Sequence, residues 1–94
     1  AGVAQLARNL AVQWGPKAVR VNAVASGLIR TPLSEPLMAD PGFMERRLGM
    51  TPLRRVGEVA DIAELCLFLA SPRSSFITGQ QIAIDGGTSI TDGS

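Results

Sequence analysis

Two short segments with β-strand pattern, separated by a long stretch that contains a helix, constrain the fold of this chain most strongly. Apolar side chains alternate over residues 19–25 (VRVNAVA) and again over residues 80–84 (QQIAI). Between them, the apolar residues of 57–70 recur at helical spacing, and another helical pattern over 1–14 ends at Gly15-Pro16. A strand, a long helix-bearing connection and a second strand are typical of a parallel βαβ unit. The sequence therefore predicts an α/β fold with the order helix, strand, lid, helix, strand.

The connection over residues 32–50 is interrupted by Pro32, Pro36 and Pro41, which predicts two short helices over 34–40 and 41–48. Connections of this length are often functional lids. The large apolar residues of the lid either line an apolar substrate pocket or simply anchor the lid, and the sequence leaves both interpretations open. The residues concerned are Leu33, Leu37, Met38 and Phe43.

Missing residue types exclude several chemistries within this chain. It has no His and no Tyr, so it can form neither a Ser-His-Asp triad nor a histidine metal site, and it offers no tyrosine acid. We predict no metal site. The formal net charge of +1 is spread along the chain and implies no nucleic-acid or membrane partner. A single cysteine, Cys66, and no apolar segment of membrane length favour a cytoplasmic protein. Cys66 falls on the apolar face of its helix and is predicted to be a core thiol.

The apolar content is high for so short a chain. Ninety-four residues bury about 60 to 65% of their unfolded surface, whereas 46% of the residues are hydrophobic and the mean hydropathy is +0.21. We therefore expect apolar surface that meets another chain or further residues of a longer protein. The first helix has no capping residue near Ala1, which favours the same interpretation.

Ser26-Gly27 follows the first predicted strand, and in open parallel sheets ligands bind beyond the carboxyl ends of strands. The stretch RVNAVASGLIRTP resembles the strand and turn written RVNxVxPGxIxTP in short-chain dehydrogenases/reductases. RRVGEVADIAELCLFLASPRSSFITGQQIAIDGG is similar to the last helix and strand of that family, and AGVAQLARNLA resembles the helix after its Tyr-x-x-x-Lys pair. The resemblance implies the C-terminal part of one doubly wound, Rossmann-like domain with a lid over about 32–50.

The resemblance also implies a site for NAD or NADP at this corner. In the family pattern, Gly27 lets the backbone approach the nicotinamide ring, the main chain of Ile29 binds the carboxamide, and the Thr31 hydroxyl binds the carboxamide or a phosphate oxygen. Ser26 belongs to the same corner but stands where the family usually has proline, so the turn loses a fixed φ. Val59 replaces another frequent proline, with little expected consequence.

The activity implied by the resemblance is hydride transfer between the nicotinamide and a small alcohol or carbonyl substrate. The family's catalytic serine, tyrosine and lysine match no positions here, so we predict no catalytic residue and no activity for the 94 residues alone. The resemblance implies a homo-oligomer, a tetramer or a dimer, in which the last helix and strand pair across a two-fold axis. The alternative is a non-redox protein on the same fold, such as a lyase, a dehalogenase or a binding subunit without cofactor. Ser26 favours that alternative.

Overall fold

The computed structural model describes residues 2–91. Its helices and strands are α1 (Gly2–Trp14), β1 (Ala23–Ser26), α2 (Glu35–Met38), α3 (Pro41–Gly49), α4 (Val59–Ala70) and β2 (Gln81–Ile84). Single turns of 3-10 helix cover Gly15–Lys17, Pro72–Ser74 and Thr88–Ile90. The order is the predicted helix, strand, lid, helix, strand, although the last 3-10 turn was not predicted.

The two strands pair with each other in parallel. Ala23 N donates to Gln80 O at 2.8 Å, and Gly27 N donates to Ile84 O at 3.1 Å. Because both partners advance along the chain by the same number of residues, the strands run in the same direction. The predicted parallel βαβ connection is therefore present.

The chain divides into two compact units. The first consists of Ala1–Ala25 and Glu64–Ile82, and the second of Ser26–Ala63 and Ala83–Ser94. Among residues 2–91, no helix has both the length and the apolar composition needed to cross a bilayer.

In the first unit, α1 buries only small side chains. Ala4, Ala7 and Ala11 are buried, whereas Leu6 is 56% and Val12 is 81% exposed. Small residues at this spacing allow the helix to be approached closely on one side. Of the large apolar residues in the predicted helical pattern, Val3, Leu6 and Trp14 are exposed and Leu10 is half-buried.

The first strand begins later than the predicted residue 19, because backbone groups make only part of the ladder before Ala23. Gly79 N donates to Val21 O at 2.7 Å, whereas side chains make the other bonds. Val21 N donates to Thr78 Oγ1 at 3.0 Å. The Asn22 side chain donates to Ile77 O at 3.1 Å and accepts from Gln80 N at 3.1 Å. Asn22, which lies inside the predicted strand but just before the observed one, is thus a structural residue.

Helix α4 contradicts the prediction for its cysteine. No residue of α4 is fully buried, and Cys66 is exposed rather than a core thiol. Leu67 on the same helix is 71% exposed. Helical periodicity identifies an apolar face correctly, but it does not tell whether anything covers that face.

In the second unit, side chains close both ends of α3. The Asp40 carboxylate accepts from Gly42 N at 3.0 Å and Phe43 N at 3.2 Å, which caps the first turn. At the other end, the Arg54 guanidinium donates to the carbonyls of Leu48 and Gly49 at 3.2 and 2.9 Å. These bonds satisfy carbonyls that a helix end leaves without partners.

The residues Asp85-Gly86-Gly87 after the second strand predict a turn, which is present and is held by the Asp85 carboxylate. Gly87 N and Ser89 N donate to that carboxylate at 2.9 and 3.0 Å. The pKa of Asp85 is lowered, first by a side-chain hydrogen bond from Ser89 and then by the Gly87 N–H. Beyond the turn, the hydroxyls of Thr51 and Thr88 meet at 2.8 Å in a buried pair, which ties the final 3-10 turn to the residues after α3.

Candidate functional site

The corner at the carboxyl end of β1 is built around a close backbone approach. Ser26 ends the strand and is exposed. A Cβ atom at Gly27 would lie 2.9 Å from Asp85 Cβ and 3.0 Å from Asp85 Cα. Glycine is therefore required for packing against Asp85, whether or not a ligand binds. Contact between Gly27 and a nicotinamide ring stays a prediction.

The next residues form a single parallel bridge that orients Ile29. Gly57 N donates to Leu28 O at 2.9 Å, and Arg30 N donates to Gly57 O at 2.8 Å. In a parallel bridge of this kind, the residue between the two bonds directs its own N–H and C=O away from the partner. The peptide groups of Ile29 therefore face away from Gly57.

Ser34 occupies one of those two outward groups. Its hydroxyl Oγ donates to Ile29 O at 2.7 Å and accepts from Thr31 N at 3.0 Å. Ser34 N in turn donates to Thr31 Oγ1 at 3.3 Å. Within residues 2–91, the N–H of Ile29 has no hydrogen-bond partner. The loop thus presents one backbone donor beside the Thr31 hydroxyl.

Sequence analysis missed Ser34, although the sequence carries a signal for it. Ser and Thr side chains bind nearby backbone groups at turns and helix starts, and Thr31 and Ser34 stand three residues apart just before α2. That spacing predicts a local turn. It does not reveal that the Ser34 hydroxyl reaches back to Ile29.

Two ion pairs lie near the bridge and at the start of α4. Arg30 Nε is 3.1 Å from Glu58 Oε2, and Arg55 Nη1 is 3.1 Å from Asp61 Oδ2. The Arg55 hydrogen bond, and then the Glu58 N–H, lower the pKa of Asp61, while the same contact with Asp61 raises the pKa of Arg55. Arg30 and Arg55 accordingly each form an ion pair with a carboxylate near the start of α4.

The enclosed space in the second unit is small. A cavity of about 110 Å³ is bordered by Leu28, Ile29, Thr51 and Thr88, whereas sites for small ligands are usually about 300 Å³ or larger. An open depression of about 500 Å³ lies on α3 and includes Phe43 and Met50. The cavity of about 110 Å³ is too small for a dinucleotide. No cluster of metal-ligating side chains occurs among the described residues.

The predicted lid residues differ in exposure. Leu33 is 92% and Leu37 is 51% exposed. Met38 is half-buried, with its sulfur 3.5 Å from Ser34 Oγ, and Phe43 is half-buried at the open depression. The contact between Met38 and Ser34 is local to α2. For all four lid residues, the choice between pocket lining and anchoring stays open.

Known proteins share both the sequence and the fold of this chain. The family model described as enoyl-(acyl carrier protein) reductase matches residues 1–89. A tropinone reductase homolog of Arabidopsis thaliana is 48% identical over 86 residues, which are 92% of this chain and 33% of that protein. Galactitol 2-dehydrogenase (L-tagatose-forming) of Cereibacter sphaeroides is 44% identical over 88 residues, which are 94% of this chain and 35% of that protein.

Solved structures agree with these relatives. A short-chain type dehydrogenase/reductase from Mycobacterium ulcerans superimposes with a TM-score of 0.94 and 39% identity, over 98% of this chain and 34% of that one. A 4-hydroxyisoleucine dehydrogenase, solved with NADH, gives a TM-score of 0.94 and 30% identity over 97% of this chain and 37% of that one. A gluconate 5-dehydrogenase from Burkholderia cenocepacia, solved with NADP and tartrate, gives a TM-score of 0.89 and 30% identity. The match covers 95% of this chain and 35% of that one.

The chain therefore belongs to the short-chain dehydrogenase/reductase family, as the resemblance implied. Its fold is the predicted α/β, Rossmann-like class. The chain spans about a third of the length of the curated relatives that it matches. The proteins that it matches include dehydrogenases, two of which were solved with NADH or NADP bound.

Proposed function

We propose that this chain supplies the nicotinamide end of the cofactor site in an NAD(P)-dependent short-chain dehydrogenase/reductase, as the C-terminal third of the complete enzyme. The observation that carries the proposal is the unpaired, outward N–H of Ile29 next to the Thr31 hydroxyl. A carboxamide offers one acceptor and two donors, so a backbone N–H and a hydroxyl in one turn suit it. Two structural neighbours were solved with NADH and NADP, which supports the same cofactor class here.

The bound cofactor would supply hydride transfer to or from a small alcohol or carbonyl substrate. This chain would hold the nicotinamide in place, and Leu33 and Leu37 would shield the substrate from water. In the family pattern the proton donor is a tyrosine, and the 94 residues contain no Tyr, so this donor would come from elsewhere in the complete enzyme. We accordingly expect the 94-residue chain alone to be inactive.

Cofactor binding is tested by titrating the full-length protein with NADH and with NADPH and following their fluorescence. Thr31→Val keeps the side-chain shape and removes one hydroxyl, so we expect roughly two- to tenfold weaker binding. Thr78→Val is the matched control, because the Thr78 hydroxyl binds Val21 N in the first unit. Its dissociation constant should equal that of the wild type. If the wild-type protein binds neither nucleotide, the non-redox alternative favoured by Ser26 replaces this proposal.

The substrate class is tested with compounds that the relatives' names suggest. Galactitol with L-tagatose, tropinone and gluconate form a first panel for cofactor oxidation or reduction by the full-length protein. Leu33→Ser should raise KM for an accepted substrate more than it changes cofactor affinity, because a side chain that is 92% exposed contributes little to folding. An unchanged KM would leave Leu33 outside the substrate site.

We further propose a homo-oligomer, a dimer or a tetramer, that covers α4 and β2. Leu67 is 71% exposed, and Ala83 is exposed on β2. Apolar surface and strand edges of this kind are usually covered in the native assembly. Ala83→Asp in the full-length protein should shift sedimentation toward smaller species, and an unchanged sedimentation coefficient would place Ala83 outside the interface.

The cytoplasmic location expected from the sequence also stays a proposal, which cell fractionation tests.

A further inference from the structure

We infer that Ser34 is a positioning residue for the nicotinamide, although it does not contact the cofactor itself. The inference rests on the proposed function of Ile29 and Thr31. Ser34 Oγ lies 2.7 Å from Ile29 O and 3.0 Å from Thr31 N. One hydroxyl therefore holds both residues whose donors would meet the carboxamide.

The single proton of the Ser34 hydroxyl has several acceptors within reach. Ile29 O is the closest at 2.7 Å, Thr31 O follows at 3.1 Å, and Met38 Sδ lies at 3.5 Å. The shortest contact is the strongest hydrogen bond of the three, and the Met38 sulfur is a weak acceptor. The proton accordingly goes to Ile29 O, and the lone pairs of Ser34 Oγ accept from Thr31 N.

Thr31 is left with a hydroxyl proton to donate. Its oxygen already accepts from Ser34 N at 3.3 Å, and its contact to Ser34 Oγ is long at 3.4 Å. A ligand acceptor at ordinary hydrogen-bond distance would compete well against that long contact. The Ser34 hydroxyl thus bonds to Ile29 O and Thr31 N. Two donors, Ile29 N–H and Thr31 O–H, are left for the nicotinamide.

The parallel bridge to Gly57 restrains the same peptide from the opposite side. Arg30 N donates to Gly57 O at 2.8 Å, so the loop is held on one side by backbone and on the other by the Ser34 hydroxyl. Removing the hydroxyl leaves the bridge intact, so the Ile29–Arg30 peptide stays bonded to Gly57 but loses the second bond that fixes its tilt. The effect should fall on the nicotinamide contact and not on the adenosine half of the cofactor.

The test compares two probes on the full-length protein. NADH or NADPH carries the nicotinamide, and ADP-ribose or its 2′-phosphate lacks it. We expect the Ser34→Ala protein to bind NAD(P)H roughly two- to tenfold more weakly than the wild type does. Both proteins should bind ADP-ribose, or its 2′-phosphate, equally tightly. Ser34→Thr keeps the hydroxyl and should restore NAD(P)H affinity. Ser34→Cys keeps the size with a weak donor and should lie between the two.

Ser71 provides the matched control. Its hydroxyl donates to Phe68 O at 2.8 Å and accepts from Arg73 N at 3.2 Å, which is the same pair of roles in the first unit. Ser71→Ala should leave both probes unaffected. A weaker NAD(P)H affinity in Ser71→Ala as well would overturn a specific role for Ser34.

The outcomes separate this inference from the function on which it rests. A wild-type protein that binds neither nucleotide overturns the proposed function, and the inference with it. A wild-type protein that binds NAD(P)H while Ser34→Ala binds it equally well overturns the inference alone. Equal weakening of both probes in Ser34→Ala also overturns it, because a general defect of the fold would affect the adenosine half too. If Ser34→Ala does not fold, the same comparison between Ser34→Cys and Ser34→Thr decides.

Discussion

Two serines with similar bonding have different consequences in this molecule. In the first unit, Ser74 is 1% exposed, its hydroxyl contacts three backbone carbonyls, and it accepts from the Arg20 guanidinium at 3.0 Å. In the second unit, the half-buried Ser34 binds one side of an open loop and leaves the Ile29 N–H without a partner in the described chain. A side chain that pairs the polar groups around it stabilises the fold. A side chain that fixes a loop in which one backbone N–H stays unpaired, at the end of a strand, can prepare a binding site.

The largest effect should follow from Gly27→Ala, which obstructs the corner that supports the Ser34 loop. The new Cβ would lie 3.0 Å from Asp85 Cα, and a main chain cannot give way as a flexible side chain does. We expect the free energy of unfolding to fall by about 3 kcal/mol, the upper end of the range for overpacked sites. Urea denaturation of the full-length protein measures it.

Gly49→Ala is the control for that substitution. A Cβ at Gly49, the last residue of α3, would meet nothing within 4 Å. Alanine there should leave stability unchanged or raise it by up to about 1 kcal/mol, because alanine favours a helix more than glycine does. Equal losses for Gly27→Ala and Gly49→Ala would mean that the approach to Asp85 is not what requires glycine.

A smaller loss should follow from Ser74→Ala. Removing the buried hydroxyl takes away a partner of the Arg20 guanidinium and of nearby carbonyls, which we expect to cost about 1 to 2 kcal/mol of folding stability. The dissociation constant for NAD(P)H in the folded protein should not change. Exposed Ser75 offers Ser75→Ala as a neutral control. A loss of cofactor affinity without a loss of stability would erase the contrast between the two serines.

The smallest effect should appear in acid, at the ion pair of Arg55 and Asp61. The folded-state pKa of Asp61 lies below its ordinary value of about 4, so the pair contributes stability above that pH, which is lost as the pH falls through the folded pKa. The stability gap between wild type and Asp61→Asn should therefore be constant above about pH 4 and close below it. Thermal denaturation across this range measures the gap.

Arg55→Gln sharpens the acid experiment, because the Arg55 hydrogen bond is the largest cause of the shift in Asp61. In the protein that carries Arg55→Gln, adding Asp61→Asn should cause a smaller pH-dependent change in folding stability. The remaining part comes from Glu58 N, which donates to Asp61 at 2.7 Å. A stability difference between wild type and Asp61→Asn that persists unchanged to low pH would contradict the ion pair of Arg55 and Asp61.

Local signals in the sequence predicted the elements with clear ends. Gly15-Pro16 after α1, the prolines of the lid and the Asp85 turn are each determined by their own residue types, so periodicity and turn chemistry were sufficient. The resemblance located the corner after β1. What it could not supply is the reason for Gly27, because the approach to Asp85 depends on how two strand ends pack.

Contacts between residues far apart in the chain were beyond sequence reasoning. β1 begins at Ala23 because the Thr78 and Asn22 side chains replace part of the earlier ladder, and no pattern in 19–25 signals that. Cys66 lies on the predicted face but is exposed, since burial depends on what packs against that face. Ser34 falls between these cases, because its turn was readable and its bond to Ile29 was not.

The amide resonance of Ile29 gives the most direct test of the central claim, that this loop binds the nicotinamide carboxamide through a free backbone donor. The measurement is the ¹H–¹⁵N correlation spectrum of the full-length protein with NADH or NADPH, and with the matching fragment that lacks nicotinamide. We predict a large downfield shift of the Ile29 amide proton with the whole cofactor and little shift with the fragment. The amide of Gly79, already bound to Val21 O at 2.7 Å, should not move in either case. Saturating cofactor that shifts other amides but leaves Ile29 in place would contradict the account.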